Sequence, residues 1–433
     1  MSNSLRTFAK AALSATLLFS PLAVSATNNA LWFEHTDIQL PARTSVAQLE
    51  NGLRYIVLPT TKSTDEVSIR VRVGSGVAKE PSEQPLARIA ALNTVTETNW
   101  LATSGYQQTV FSLDLDHGTD SDVSESLATI RHGLTKTLQQ GQAQALLNDT
   151  FPALTDIEQL IETKQVQPLV ANQEWAPLNE QSLVNTPAES VNQFQTEHYV
   201  PQNITLVMTG NIPPRVAARL IENNFSDWKS NTTVASNSLT ELAIEPATTT
   251  VSSDSSLAIS SLKNVRNLPD SKSLRKDMLV ATLANKMLEQ RIETALEQQH
   301  SQAKVAVDSQ LVFNHKMLSQ VRLTELAANE KENVEKVVQT EIQRAIAGGF
   351  TQTEYEMVVS QVRQQLESQT RLKNSHYTAQ QADRLVEAVN SGSVYTAPSY
   401  DLDLLNFHVA HLNELDVSKE LAKIWSQDDA VIL

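Results

Sequence analysis

The chain has 433 residues and a formal net charge of −15, with 34 basic and 49 acidic side chains. The basic residues form no cluster, so nucleic acid and anionic membrane surfaces are poor partners for it. The absence of cysteine excludes disulfides, thiol catalysis and lipid attachment at a leader cysteine. Eleven glycines and 41% hydrophobic residues are typical of a globular, helix-rich protein, and the length suits two or three domains.

Residues 1–26 are typical of a secretory signal peptide. Two basic residues precede an uncharged apolar run over 11–24, which is too short to span a bilayer comfortably. Small residues end this run and predict cleavage after Ala26. We therefore expect export, and a cysteine-free exported chain favours the bacterial periplasm. No later stretch has the length and apolar character of a transmembrane segment.

The residue pattern of the first half of the chain predicts alternating strands and helices. Asn51-Gly52 is typical of a hairpin turn, and a strand follows over 53–58. Residues 67–73 alternate between apolar and polar, which indicates a strand with one buried face. The other elements expected here are helices over 83–100, 120–140 and 213–225, a helix ending at 199, and strands over 106–116 and 204–209.

The second half repeats this order after a stretch over 226–255 that is rich in Ser, Thr and Asn and predicts a linker. Its expected elements are strands over 257–262, 303–313, 316–325 and 430–433, helices over 271–299, 330–347 and 352–367, and further helical segments as far as 425. Two halves of the same order predict an α+β protein built from a duplicated unit, each a sheet with helices packed on one face.

Five segments carry a family resemblance: NGLRYIVLP, VRVGSGVAKEPSEQPLARIA, FQTEHYVPQNITLVMTGNI, MLEQRIETAL and GGFTQTEYE. In this order and spacing they resemble the pitrilysin/insulinase family of inverted-zincin metallopeptidases. That family includes the mitochondrial processing peptidase and the core proteins of the respiratory bc1 complex. The resemblance implies two homologous LuxS/mitochondrial-processing-peptidase-like domains with antiparallel-rich sheets, over 27–225 and 256–433.

The zinc motif that the resemblance implies is missing. Active relatives carry His-x-x-Glu-His on the first helix, where residues four apart share a face and hold zinc while the Glu activates water. Aligned on the preceding Pro-Leu-Ala, the three positions are Arg88, Ala91 and Leu92. An Arg has no lone pair to offer, and the other two side chains are apolar. We therefore expect no zinc or other cofactor here, and zinc only in active family members.

Two further family positions also depart from the pattern. A downstream carboxylate completes the zinc shell in active relatives; Glu158 and Glu162 are the nearest carboxylates, and solvated helix acids explain them better. The family's second domain has an Arg and, seven residues later, a Tyr that hold the substrate. Aligned from Arg291, these positions are Glu297 and Lys304, and a Glu there would repel a developing oxyanion.

Two other groups of side chains suggest metal binding only weakly. His408 and His411 lie three apart on a predicted helix without a supporting ligand, so two partly exposed polar side chains are the preferred interpretation. Four acidic residues resemble a calcium-binding cluster: Asp114, Asp116, Asp120 and Asp122. They lack the regular Asp-x-Asp-x-Asp-Gly loop of such a site. The end of a strand followed by a helix N-cap explains them better.

The sequence thus predicts a catalytically inactive family member that acts as a non-catalytic partner of an active insulinase-family homologue or as a peptide-binding module. Two alternatives stay open. One is a zinc-dependent endopeptidase whose site is misaligned or supplied by a partner. The other is a purely structural role like that of the bc1 core proteins. The chain is either a complete two-domain unit or half of a longer family architecture.

Overall fold

The structure is a computed structural model. It describes residues 36–60, 65–81, 83–105, 107–142, 146, 180–230, 247–252, 255–265, 269–312, 316–371 and 377–426. The expected signal peptide, Glu158, Glu162 and the expected strand over 430–433 lie outside the described residues.

Six strands form the first sheet, in the spatial order β1-β2-β6-β3-β5-β4. Only β2 and β6 are parallel; the other neighbours run antiparallel. The two central strands, β3 and β6, are almost entirely buried. The strands are β1 Ser45–Gln48, β2 Arg54–Pro59, β3 Val67–Val73, β4 Leu101–Ser104, β5 Thr109–Leu115 and β6 Ile204–Gly210.

One core joins this sheet to the helices of the first half. These are α1 Leu86–Val95, α2 Asp120–Thr135, α3 Glu180–Asn185, α4 Ala188–His198 and α5 Pro214–Phe225. A capping box starts α2: the Thr119 hydroxyl accepts the N–H of Asp122, whose carboxylate accepts the N–H of Thr119. Thr119 is therefore the N-cap and Asp122 completes the cap from the third position of the helix, while Asp114 forms an ion pair with Arg70.

The second sheet has four antiparallel strands in the order β7-β8-β10-β9. They are β7 Ala247–Ser252, β8 Leu257–Asn264, β9 Lys304–Val312 and β10 Lys316–Thr324. The linker prediction is wrong for β7, a Thr-rich edge strand that pairs with β8. A second core joins this sheet to helices that include α6 Lys272–Gln298, α7 Lys331–Gly348 and α8 Gln352–Arg371.

The helix α9, Tyr377–Ser391, leaves the second half and packs on the opposite face of the first sheet, against β3 and β6. Leu385 and Val386 pack on Ile56 and Val207 there, and the Thr209 hydroxyl donates to the Thr378 carbonyl at 2.6 Å. The first sheet is therefore covered on both faces, which corrects the expectation of helices on one face only. The last two helices are α10 Pro398–Val409 and α11 Glu414–Trp425.

The polar side chains of β3 are buried under α9, although their alternation suggested a solvent face. Arg70 is 3% exposed, and its guanidinium pairs with Asp114 at 2.8 Å and with Asp383 of α9 at 2.6 Å. Arg72 donates to Asn390 of α9 at 2.9 Å, and burial lowers its pKa to about 10. The two halves are thus tied together by buried polar contacts as well as by apolar packing.

Truncating Leu385 to Ala should test the packing of α9. Leu385 is 1% exposed, so we expect the free energy of unfolding to fall by about 2–5 kcal/mol in urea titrations. Leu101, which is 67% exposed, provides the matched control, and Leu101→Ala should change stability by less than about 0.5 kcal/mol. Equal small effects of both substitutions would show that α9 does not pack on the sheet.

Candidate functional site

The helix α1 is a core element. All ten of its residues are buried, so it has no solvent-facing side. It is shorter than the expected 83–100 because Thr96 already leaves the helical conformation and Glu97 has a φ of 63°. Gly133 allows α2 to approach α1 closely, since a Cβ at that position would lie 2.2 Å from the carbonyl oxygen of Thr94 on α1.

Arg88, at the position predicted to correspond to the first zinc ligand, forms an ion pair with Glu80. Its Nη2 lies 2.8 Å from Glu80 Oε2, its Nε lies 3.2 Å from both carboxylate oxygens, and its backbone N–H donates to Oε1 at 3.1 Å. The side chains are 10% and 1% exposed. Burial raises the pKa of Glu80, while the Arg88 guanidinium and two backbone N–H groups oppose that shift.

Glu80 was not anticipated from the sequence. It follows a short 3-10 turn, Val77–Lys79, and lies eight residues before Arg88. The two residues belong to different elements, so no periodicity within one helix or strand connects them, and the pairing depends on how the loop between them folds back. The only available signal was a Glu and an Arg flanking a Pro-containing loop, which is common in sequences.

Ala91 and Leu92 complete the replaced motif, and both are fully buried in the first core. In place of a general base and a second imidazole, this face of α1 contributes apolar packing. Across the described ranges, no group of three or more His, Asp or Glu side chains is arranged to hold a metal ion.

Glu297 and Lys304 lie away from α1. Glu297 is exposed on the last turn of α6, and Lys304 is exposed at the start of β9, where it pairs with Glu325 at 2.5 Å. Glu297 lies on α6 and Lys304 on β9, two elements that contribute to the second core, whereas α1 packs in the first. The two sets of replaced positions therefore form no shared cluster.

Arg291 joins two of the segments that carry the family resemblance. Its guanidinium forms a bidentate ion pair with Glu354, with N–O distances of 2.6 and 2.9 Å. It also donates to the Gly349 carbonyl at 2.8 Å, and its central carbon lies 4.6 Å from the Phe350 ring centroid. The ion pair lowers the pKa of Glu354 to about 2. MLEQRIETAL and GGFTQTEYE are thus connected by a structural ion pair.

His408 differs from its expected exposure because it is buried, whereas His411 is exposed. Both rings contact Phe407 edge-on, with centroid separations of 5.2 and 6.0 Å. Burial lowers the pKa of His408 and nearby Lys276 lowers it further, so the neutral imidazole is favoured. The two histidines are arranged around an aromatic ring and not around a ligand set.

Residues 186–362, about two fifths of the chain, match the family model of the peptidase M16 inactive domain. This part of the chain is similar to an M16 inactive domain. The resemblance to the pitrilysin/insulinase family is therefore confirmed. The match to an inactive domain is consistent with a degenerate member of that family. No curated protein sequence matches the chain.

Solved structures share this fold. The first half of the periplasmic protease PqqL from Escherichia coli is 14% identical with a TM-score of 0.73, covering 90% of this chain and 91% of that one. The chain spans only 47% of the whole PqqL structure. A predicted insulinase family protease from Yersinia pestis is 20% identical (TM-score 0.68; coverage 90% and 92%). A peptidase M16 inactive domain from Pseudomonas fluorescens is 15% identical (TM-score 0.65; coverage 90% and 96%).

Replacing Arg88 with Met keeps a long side chain in place but leaves the Glu80 carboxylate buried without its cation. We expect the free energy of unfolding, measured in urea at pH 7, to fall by about 3–5 kcal/mol. Because burial raises the pKa of Glu80 above its ordinary value of 4.5, the deficit should shrink as the pH falls toward 4.5 and the carboxyl enters the core uncharged.

Removing both charges together is the control. The double variant Glu80→Leu with Arg88→Met should recover most of the loss, because no unpaired charge is then buried. Unchanged stability of Arg88→Met alone at pH 7 would contradict a structural role for the pair.

Proposed function

We propose that the protein is a catalytically inactive M16-family protein, exported to the periplasm, that serves as a non-catalytic partner of an active homologue and binds peptides. The observation that carries the proposal is the ion pair of Arg88 with Glu80 in the fully buried helix α1. It occupies the place where active relatives hold zinc.

Three physical features support the loss of peptidase chemistry. A permanent cation at position 88 repels a divalent metal, and its charge is already compensated by Glu80. Ala91 supplies no general base, and Leu92 fills the core. Glu297 and Lys304, which replace the substrate-holding Arg and Tyr, lie exposed on another part of the chain.

The partner role is supported by the likeness of the chain to one half of PqqL, a protease that has two halves. The chain resembles the first half of that protease and spans about half of its full length. A second, active chain would supply what the other half supplies in one polypeptide. Under this proposal the chain shapes the substrate chamber and holds peptide, and the active homologue carries His-x-x-Glu-His.

Hydrolysis of a quenched fluorescent peptide pool tests the proposal. The wild type should cleave nothing, and so should a triple variant with Arg88→His, Ala91→Glu and Leu92→His. Adding Glu297→Arg and Lys304→Tyr should not restore turnover, because one missing oxyanion donor costs about 10²–10³ in rate and the zinc shell remains incomplete. Circular dichroism must accompany each variant, since Ala91→Glu places a carboxylate in the core.

The wild type decides the outcome, because it needs no substitution that endangers folding. Robust cleavage by the wild type that a chelator abolishes would refute the inactive assignment. Cleavage by the triple variant alone would show that α1 is the only defect and that Glu297 and Lys304 are not the substrate-holding positions. Failure to co-purify with an active homologue would refute the partner role.

A further inference from the structure

A cavity of about 350 Å³ lies behind α1, between the end of α2, the helix α4 and the segment that follows α5. Its lining combines cationic, amide, hydroxyl and aromatic groups, among them Lys136, Gln195, Tyr199, Val200, Trp228 and Lys229. The volume lies within the range of about 300–1,000 Å³ typical of pockets for small ligands. None of the replaced motif positions lines it.

The wall formed by the end of α2 is held rigidly. Asn192 of α4 accepts the N–H of Leu138 at 2.7 Å and donates to its carbonyl at 2.9 Å. Asn93 of α1 donates to the carbonyl of Lys136 at 3.0 Å. Two helices thus fix the backbone that carries Lys136, so the cavity is shaped before any ligand binds.

Gln195 lines this cavity and carries a buried donor. The residue is 6% exposed, its Oε1 is approached by Asn93 Nδ2 at 3.5 Å, and its Nε2 has no hydrogen-bond partner among the described residues. A buried amide N–H without an acceptor is costly, so an acceptor atom from a ligand would relieve that cost.

The local charge is positive in a chain whose net charge is −15. Neither Lys136 nor Lys229 forms an ion pair with a carboxylate in the described part of the chain. The guanidinium carbon of Arg131 lies 4.1 Å from the Trp228 ring centroid. Burial lowers the pKa of Arg131, and the nearby carboxylate of Asp227 opposes that shift. The lining of the cavity therefore contains two lysines and no carboxylate.

We propose that this cavity receives the free C-terminal carboxylate of a peptide. The carboxylate would accept from Gln195 Nε2 and from the two lysines, and the last side chain would pack on Trp228 and Val200. A carboxylate fits better than an inorganic anion because the lining is as much apolar as polar. The inference rests on the peptide-binding part of the proposed function and adds how the peptide is recognised.

Fluorescence anisotropy with a labelled peptide tests this inference on the full mature chain. Each peptide is compared as its free acid and as its C-terminal amide. We expect the free acid to bind at least about tenfold more tightly, because charge-assisted hydrogen bonds are lost in the amide. The difference should shrink in high salt, since the lysines are partly exposed.

Substitutions locate the effect. The double substitution Lys136→Gln with Lys229→Gln should weaken binding of the free-acid peptide about tenfold and leave binding of the amide peptide unchanged. Lys336→Gln with Lys419→Gln removes the same charge from exposed lysines elsewhere and should change neither. Gln195→Leu should weaken the free acid without loss of stability, because it removes a buried donor that has no partner.

The outcomes separate this inference from the proposed function. Equal binding of acid and amide would overturn the carboxylate site and leave peptide binding intact. Absence of any peptide binding would overturn both. An acid preference that the lysine pair and Gln195 do not affect would place carboxylate recognition elsewhere on the chain and overturn the assignment to this cavity.

Discussion

The buried ion pair between Arg88 and Glu80 is the contact on which the arrangement around α1 depends. Both charges are almost fully removed from water, which costs several kcal/mol per ion unless each satisfies the other. The bidentate geometry and the added backbone N–H of Arg88 supply that compensation. The same contact fixes the loop before α1 to the helix, which gives Arg88 a structural role.

The surroundings of α1 are consistent with this change. A helix that carries catalytic groups needs one side open to substrate, but every residue of α1 is covered. Asn93, near its end, donates to the carbonyl of Lys136 just after α2, and Gly133 of α2 lies close to the carbonyl of Thr94. The cavity behind the helix is separated from the replaced motif, so binding there needs no catalytic residue.

Local sequence signals predicted most elements of this fold. The apolar run of β6, the alternation of β3 and the long helix α6 all lie where their patterns indicate. The features that the sequence did not predict depend on contacts between distant segments of the chain. The burial of Arg70 depends on α9, which lies about 300 residues away along the chain, and β7 is recognisable as a strand only through its pairing with β8.

The candidate site shows the same division between local and distant information. The prediction that Arg88, Ala91 and Leu92 hold no zinc follows from residue types alone, because none of these side chains offers a metal-binding lone pair. The partner of Arg88 could not be predicted in this way, since Glu80 lies outside any periodic pattern. Nor could the cavity beside Gln195, which forms only where α2, α4 and the end of α5 meet.

Metal analysis of the untagged mature protein tests the central claim most directly, because it asks whether a cation and its carboxylate have replaced zinc at α1. After purification without chelator and dialysis against zinc-containing buffer, the account predicts far less than one zinc per chain. About one tightly held zinc per chain, lost when residues around Arg88 are substituted, would contradict it.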